Sequence, residues 1–499
     1  MPRLTLSPAC PQALLRRLID DARGGVLALS VVLLLFLLGT GGLILDFGRV
    51  WNSQSELQAF ADHAALVAAG ELDGNADAIT RAQAALASPE IADRQAYANE
   101  DTTLDAADLQ VTFLSGLPAA DTDNDFGPFV TADPAIAQFV RVVVNPHTVS
   151  TIFANALLAV SGNGQVDLNV GAAAVAGFTQ YVCDITPLMI CNPEEPVGNT
   201  DPLYPYTPII GQQIRLKMQS QGSQYVPGDF GLLDAAIDPA GPCPVNQGAA
   251  SLRCAFAAVQ AVTQCVQKRG VDVRPGELAV AFATGVNVRF DMFQGSFNGS
   301  KNDPDFQAAP NVTKGLVGRG GAACANQFDP APVPPDPNAT RALPRDGCFA
   351  TDSCAHNRFG DSQAGAIPWD LNNYWLTNHG VAPPQQFATR YQAYTYESDN
   401  TTPNKSPGGE NGNPTCNPPA PGGVADSPER RLVVGAVINC GANGVQGNAE
   451  DVPVLTFVKF FLTEPAGQPD PNDVWVEVVE EVQPGGANSF IHNFVQLYR

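Results

Sequence analysis

The eleven cysteines carry the densest chemistry in this 499-residue chain, and a single uncharged stretch divides them. Cys10 comes before that stretch; Cys183, Cys191, Cys243, Cys254, Cys265, Cys324, Cys348, Cys354, Cys416 and Cys440 come after it. Thiols can oxidise in pairs or, as thiolates, hold zinc. The best zinc spacing, Cys348-x5-Cys354-x-His356 with His379 beyond, departs from the Cys-x2–4-Cys pattern of structural sites, so no metal is assigned. An even count of ten on one side of a membrane-length segment reads as a disulfide framework of up to five bridges, whose connectivity the spacing leaves open. Cys10 is left as the free thiol.

The other reactive side chains form no recognisable set. The five histidines sit in no His-Glu-x-x-His, and Gly-x-Ser-x-Gly, a Walker loop and Cys-x-x-Cys are all missing. Asp229-Phe230-Gly231 matches the kinase magnesium triplet by letters alone and reads as a turn. Carboxylates alternate at Asp121, Asp123 and Asp125, as in calcium loops, but an EF-hand needs Gly at position 6 and Glu at 12, and Phe126 and Ala132 stand there; an acidic, solvated turn is expected. Any two carboxylates could form a glycosidase pair, so their abundance selects none. No catalytic residue, metal, cofactor or small-molecule substrate is assigned, and no enzyme activity is expected. The net charge of −23 repels phosphate backbones and excludes nucleic acid as a partner.

These cysteines must be delivered to an oxidising compartment, and the element that does so is Gly24–Leu45, GGVLALSVVLLLFLLGTGGLIL. At ~1.5 Å per residue a helix of this length reaches about 33 Å, enough for a ~30 Å hydrocarbon core. Signal-peptide apolar regions are shorter and end in a small-x-small cleavage site, whereas this one ends in Asp46-Phe47-Gly48-Arg49; it is read as a retained transmembrane helix. Arg3, Arg16, Arg17 and Arg23 precede it and acidic bulk follows, which places the tail 1–23 in the cytoplasm and the remainder outside an inner membrane, periplasmic or extracellular. Ten cysteines on that outer side agree independently with this orientation.

The helix is expected to continue beyond the membrane over 46–73. That segment lacks proline, and Val50, Leu57, Phe60, Ala61, Ala64 and Ala68 recur at spacings of three and four. Small residues on one face allow a second helix to approach closely, so Leu57, Ala61, Ala64, Ala65 and Ala68 are candidate interaction residues, packing onto the chain's own domain being the alternative. Arg23-Gly24, the span, Asp46-x-Gly48-Arg49 and Leu57-Gln58-x2-Ala61-Asp62-x-Ala64-Ala65-Leu66, in that order, resemble the N-terminal segment of TadG-like proteins of the bacterial tight-adherence (Tad, Flp pilus) assembly machinery, over about residues 20–73. The stretch from Arg430-Arg431-Leu432-Val433-Val434 to Val495-Gln496-Leu497-Tyr498-Arg499 also resembles long TadG-related proteins. The resemblance implies other Tad/Flp pilus proteins as partners, beside the bacterial membrane. Two features associated with such machinery are missing: pilin-type processing needs a glutamate five residues after the cleaved glycine, where Leu29 or Ser30 stands, and the von Willebrand A metal string Asp-x-Ser-x-Ser does not occur.

Residues 74–180 are expected to form a small α+β unit, with helices over Ala76–Asn99, interrupted at Pro89, and Thr148–Val160, and strands over Leu109–Leu114, Gln138–Val144 and Gln165–Phe178. Residues 181–427 hold 28 of the 42 prolines and nine of the cysteines, which predicts a loop-rich, disulfide-stapled region without central strands, with one helix at Gly248–Arg269, strands near Leu278–Phe293, and linkers at 328–344 and 398–428. Residues 428–499 predict a C-terminal β-sheet from Arg431–Asn439, Val454–Leu462, Val474–Val482 and Ser489–Leu497, tied back by Cys440, either a separate domain or joint with what precedes it. The fold class is therefore α+β behind a single N-terminal transmembrane helix. The expected function is that of a membrane-anchored structural component of Tad/Flp-type pilus assembly acting by protein–protein interaction; a surface adhesin or binding module sharing only the anchor is the alternative.

Overall fold

The computed structural model describes residues 25–95, 102–118, 120, 122–161, 167–218, 224–245, 248–268, 270–274, 279–290, 292–293, 295–300, 302–310, 343–366, 369–379, 381–399, 427–466, 473–482 and 491–498. The expectations for Arg3, Arg16, Arg17, Arg23, Cys10, Cys324, Cys416, Asp121 and most of the two proline-rich linkers lie outside the described residues. The chain divides into two compact units, residues 1–179 with 494–499, and residues 180–493.

The first unit is built on α1 (Gly25–Gly70), an unbroken 46-residue helix. After it come α2 (Ala78–Leu86), β1 (Leu109–Leu114), β2 (Phe139–Ser150), α3 (Ile152–Ser161) and β3 (Asp167–Val182). The three strands are antiparallel neighbours, Leu109 facing Val144 and Phe139 facing Gly177, and the C-terminal strand Ile491–Leu497 adds beside β3. Pro146 lies where the β2–β3 register shifts between Val144 and His147, the position in a sheet where a missing N–H is tolerated. Leu57, Phe60, Ala61, Ala64, Ala65 and Ala68 of α1 share one buried core with Val140, Val142 and Val144 of β2 and Ala172, Ala174 and Ala176 of β3. Alanines on both surfaces let helix and sheet approach closely, and their alternation along the strands matches the two-residue period. One helix boundary differs from expectation: Thr148–Ser150 stay in β2 because they pair with Asn169, Leu168 and Asp167, so α3 starts later. Helix α2 stops before Pro89, where Ser88 caps a separate turn.

The second unit contains β4 (Leu188–Cys191), β5 (Gln213–Met218), β6 (Asp229–Leu233), α4 (Ala249–Ala257), β7 (Val271–Arg274), α5 (Ala279–Val288), α6 (Leu371–His379), α7 (Arg390–Asp399), β8 (Leu432–Ile438), β9 (Ala449–Val452), β10 (Thr456–Leu462) and β11 (Asp473–Glu481). These eight strands form one sheet in the order β9-β7-β6-β4-β8-β10-β11-β5, and β5 also pairs in parallel with β6, Lys217 facing Asp229. Six strands thereby make a closed circuit, which leaves fewer edges open to foreign pairing.

This sheet corrects the expectation that residues 181–427 hold no central strands. That region supplies four of the eight, and β4 and β6 lie inside the sheet. Its described prolines fall between strands, as Pro187 and Pro193 do around β4 and Pro227 does before β6, so they remove no ladder donor. Asp229-Phe230-Gly231 is likewise no turn but the buried start of β6, with Asp229 ion-paired to Arg358. The strands expected near Leu278–Phe293 are helix α5, where Gly285 allows a tight crossing over α4: a Cβ there would stand 2.4 Å from the Arg253 carbonyl. The expected helix Gly248–Arg269 ends at Ala257, and Val266–Gln267 is extended beside Val182 and Tyr181 of β3.

Four disulfides form among the described cysteines: Cys183–Cys265, Cys191–Cys440, Cys243–Cys254 and Cys348–Cys354. Cys191–Cys440 joins the ends of the parallel neighbours β4 and β8, 249 residues apart in sequence.

Candidate functional site: the N-terminal helix

Along α1 the environment changes sharply. From Leu29 to Leu38 the described side chains are exposed apolar groups such as Leu33, Leu34, Phe36 and Leu37, and exposure persists through Ile44, Leu45, Phe47 and Trp51. Over Leu29–Gly70 the helix is long and apolar enough to cross a membrane by length and composition, with a mean hydropathy of 2.2 in its most apolar window. Trp51, 76% exposed, stands at the end of the apolar surface, where an amphipathic ring suits a membrane–water interface.

Beyond Trp51 the helix is held to its own sheet. Gln54 donates from Nε2 to the Gly171 carbonyl at 2.7 Å, and Gln58 donates to the Ala173 carbonyl at 3.0 Å and to Asp62 at 2.7 Å. Two glutamines one helical turn apart thus meet two β3 carbonyls two residues apart, fixing the helix in register with the strand. The five interaction candidates, Leu57, Ala61, Ala64, Ala65 and Ala68, are all fully buried in this core. They meet the chain's own strands, and a partner helix could reach them only by opening the unit.

Asp46 is the residue whose role sequence reasoning missed. Only 4% exposed at the end of the apolar half, it accepts hydrogen bonds from Ile152 N at 3.0 Å and Ala154 N at 2.7 Å. Its carboxylate therefore satisfies the orphan donors at the N-terminus of α3, as a capping residue would, but from another helix. The available signal was a lone acidic residue directly after twenty-two uncharged ones. At the other end of α1, Arg81 of α2 is ion-paired with Glu71, Asp73 and Asp77. The Asp73 carboxyl is raised by partial burial but lowered further by the Asn75 N–H and Arg81, and the net direction is down.

The other candidate ligand sites resolve into structural roles. Cys348 and Cys354 are bonded to each other, so neither offers a thiolate to zinc, and no group of three or more His, Cys, Asp or Glu suited to a metal ion occurs among the described residues. Asp123 and Asp125 accept the backbone N–H groups of Asp125 and Gly127 in successive local turns. A cleft of about 590 Å³ in the second unit is lined by Asp184, Arg289, Glu429, Arg430 and Lys459 among apolar neighbours. Its two buried arginines bond to carbonyls: Arg289 to those of Phe256, Arg430 and Leu432, and Arg430 to those of Gln307, Ala258 and Ala257. Burial lowers the Arg289 guanidinium to about 10, and burial together with Arg289 lowers that of Arg430. Both arginines act as clamps between segments. Among the described residues, neither a histidine nor a cysteine lines the cleft.

Residues 24–71 match the family model described as Putative Flp pilus-assembly TadE/G-like. The matched range coincides with α1, Gly25–Gly70, almost residue for residue. No curated protein and no solved structure matches the chain.

Proposed function

We propose that this chain, TadE/G-like over its first helix, is a membrane-anchored structural component of a Tad/Flp-type pilus assembly apparatus, acting through protein–protein contacts. A pilus-related role follows from the family match; anchoring, orientation and mode of action are inferred from the helix. The observation that carries the reading is the coincidence of the matched segment with one helix that is exposed and apolar in its first half and locked into a folded unit in its second. Such a helix joins a folded body to a membrane anchor without a linker, since α1 continues into the core. The arginines before the span and the acidic chain after it favour a cytoplasmic N-terminus, with both units on the periplasmic or extracellular side. Partner contacts then fall to the span and to the outer surfaces of the units, because the alanine face is taken up internally.

The test is a pair of experiments in cells that make the pilus. Reporter fusions after Asp73 are expected to be active only for a reporter that works outside the cytoplasm, and deletion of the gene is expected to abolish pilus assembly. Activity of a cytoplasm-only reporter would overturn the orientation, and normal pili in the deletion strain would overturn the assembly role.

A further inference from the structure

The span is not the only apolar element at the membrane end of the first unit. Helix α3, Ile152–Ser161, reads IFANALLAVS, without a charge. It forms the connection between two paired strands: Ser150 at the end of β2 faces Asp167 at the start of β3, so the chain leaves the sheet and returns to it at one point. A tight turn would join these strands; ten helical residues are inserted instead.

The placement of this excursion follows from α1. Moving towards the N-terminus along α1, from Gln58 to Gln54, the partner carbonyl on β3 moves from Ala173 to Gly171, towards the strand end where α3 emerges. Asp46 then holds the first turn of α3 through Ile152 N and Ala154 N. One turn further down, Phe153 lies so close to Gly42 that a Cβ on that glycine would come within 2.8 Å of the Phe153 Cβ. The contacts of α3 therefore descend along the outer turns of the span, past the level of Trp51 and Phe47. Ile152 is 57% exposed and Phe153 45%, and Ala156 is exposed, although the segment carries almost no polar side chain. An apolar helix of ten residues, about 15 Å long, is too short to span and has the length of an interfacial or re-entrant segment.

We propose that α3 is a second membrane-contacting element, a short helix seated in the interfacial zone of the lipid bilayer against the outer end of the span, with Asp46 as the residue that positions it. This rests on the reading of α1 as a membrane anchor. Continuity selects the bilayer as occupant: α3 meets α1 at the buried Gly42 and Asp46, the residues between them, Leu43, Ile44 and Leu45, are exposed and apolar, and the lipid that covers these covers the exposed side chains of α3. A charge in this corner is tolerated because both Asp46 oxygens are engaged by backbone donors, satisfying a carboxylate that would otherwise be costly beside hydrocarbon. The device fixes the tilt and rotation of the first unit relative to the membrane, which a single span leaves free.

The experiment uses the full chain reconstituted in phosphatidylcholine vesicles whose acyl chains carry bromine, which quenches tryptophan on contact. The background is Trp51→Phe, whose remaining tryptophans, Trp369, Trp375 and Trp475, are buried and supply a baseline to be subtracted, with Leu33→Trp as reporter of the span and Ala156→Trp as reporter of α3. The emission that each reporter adds to this baseline is expected to be mostly lost relative to unbrominated vesicles. Adding Asp46→Ala to Ala156→Trp is expected to restore much of it while Leu33→Trp stays quenched, a difference that general unfolding of the anchor would not produce. If Leu33→Trp is quenched and Ala156→Trp is not, the inference falls and the anchor stands, the exposed face of α3 then belonging to a protein partner. If neither is quenched, the anchor reading itself fails. If Asp46→Ala leaves the quenching of Ala156→Trp unchanged, Asp46 is not the positioning residue. An unchanged protease-resistant core in each variant establishes that the reporters sit in folded protein.

Discussion

The two units reach stability by opposite routes. Between residues 25 and 179 there is no cysteine, and the first unit is held by a long helix laid alanine against alanine on a sheet. The second unit draws its sheet from residues 188 to 481 and fastens distant segments with disulfides and buried arginines. Arg390 is fully buried and paired with Asp346 and Glu477, while Asp346 also accepts from Gln213 N at 3.1 Å and Ser362 N at 3.0 Å. Burial alone would lower the Arg390 guanidinium, but the two carboxylates outweigh it and raise it, so this residue stays charged throughout the accessible range. Arg431, also buried, stacks on Phe290, Tyr394 and Phe461 and donates to the Leu462 and Thr463 carbonyls. Joining segments up to 249 residues apart carries a large loop-closure entropy, and covalent and ionic ties offset it in the second unit.

The sharpest way to break this contrast is to remove Arg390. Arg390→Ala strands Asp346 and Glu477 as uncompensated buried carboxylates, and breaking such a cluster typically costs about 3–5 kcal/mol. Denaturant unfolding of the purified full chain in detergent, read by hydrogen exchange, should show the loss in 180–493 with protection of 46–95 unchanged. Equal loss in both segments would mean that the two units do not unfold separately.

Next in size is the long disulfide. Cys191→Ser with Cys440→Ser opens a loop of 249 residues, and the expected cost is about 2–5 kcal/mol, chiefly through the unfolded chain. Opening Cys348–Cys354, whose partners are six residues apart, should cost less than the long bridge. If the two cost the same, loop closure is not what the bridges supply.

For the first unit the matching perturbation is bulk rather than charge. Ala64→Leu places three extra carbons in a fully buried position between helix and sheet, and overpacking of this kind costs typically ~1–3 kcal/mol. Its effect should appear as lower stability of 46–95, with the second unit unaffected. Gln54→Leu should lower the stability of the same segment by a different route, since Gln54 donates to the Gly171 carbonyl.

How much of this was legible in the sequence follows from the same contrast. The helix α1, its buried face and the strands β1 to β3 are written in periods of 3.6 and two, because each buries one face against the core and leaves the other less buried. The strands of 432–438, 456–462 and 473–481 were legible as apolar runs, but nothing in them reveals that β4 and β6 join the same sheet. The ten cysteines announced bridges without pairings, since pairing is set by the sheet and not by spacing. Arg390, Arg430 and Arg431 look in sequence like solubilising charges; only the fold places them inside. Asp46 was visible as an oddity beside the span, but its partners lie more than a hundred residues away.

The smallest effect is expected where the first unit does use charge, at the junction of α1 and α2. Arg81 is paired with Glu71, Asp73 and Asp77 at partly exposed positions, so solvent screens the interaction and its worth is of the order of 0–1 kcal/mol. Its signature should be in the pH dependence rather than in the magnitude. The Asp73 carboxyl is held below its ordinary value in the folded chain, mainly by the Asn75 N–H and Arg81 acting against partial burial. A carboxyl that is more acidic folded than unfolded contributes stability above its unfolded pKa, about 3.9, and loses it as pH falls through the folded value. Arg81→Ala should therefore lower the stability of 46–95 slightly at neutral pH and flatten its dependence on pH below about 4, where the parent chain loses this contribution. Asp73→Asn should reproduce the flattening, because it removes the titrating group itself. Measured by hydrogen exchange of the helix end at neutral and acid pH, an unchanged acid limb in both variants would show that Asp73 does not couple to folding. A large loss at neutral pH in Arg81→Ala would show instead that the first unit depends on charge as much as the second.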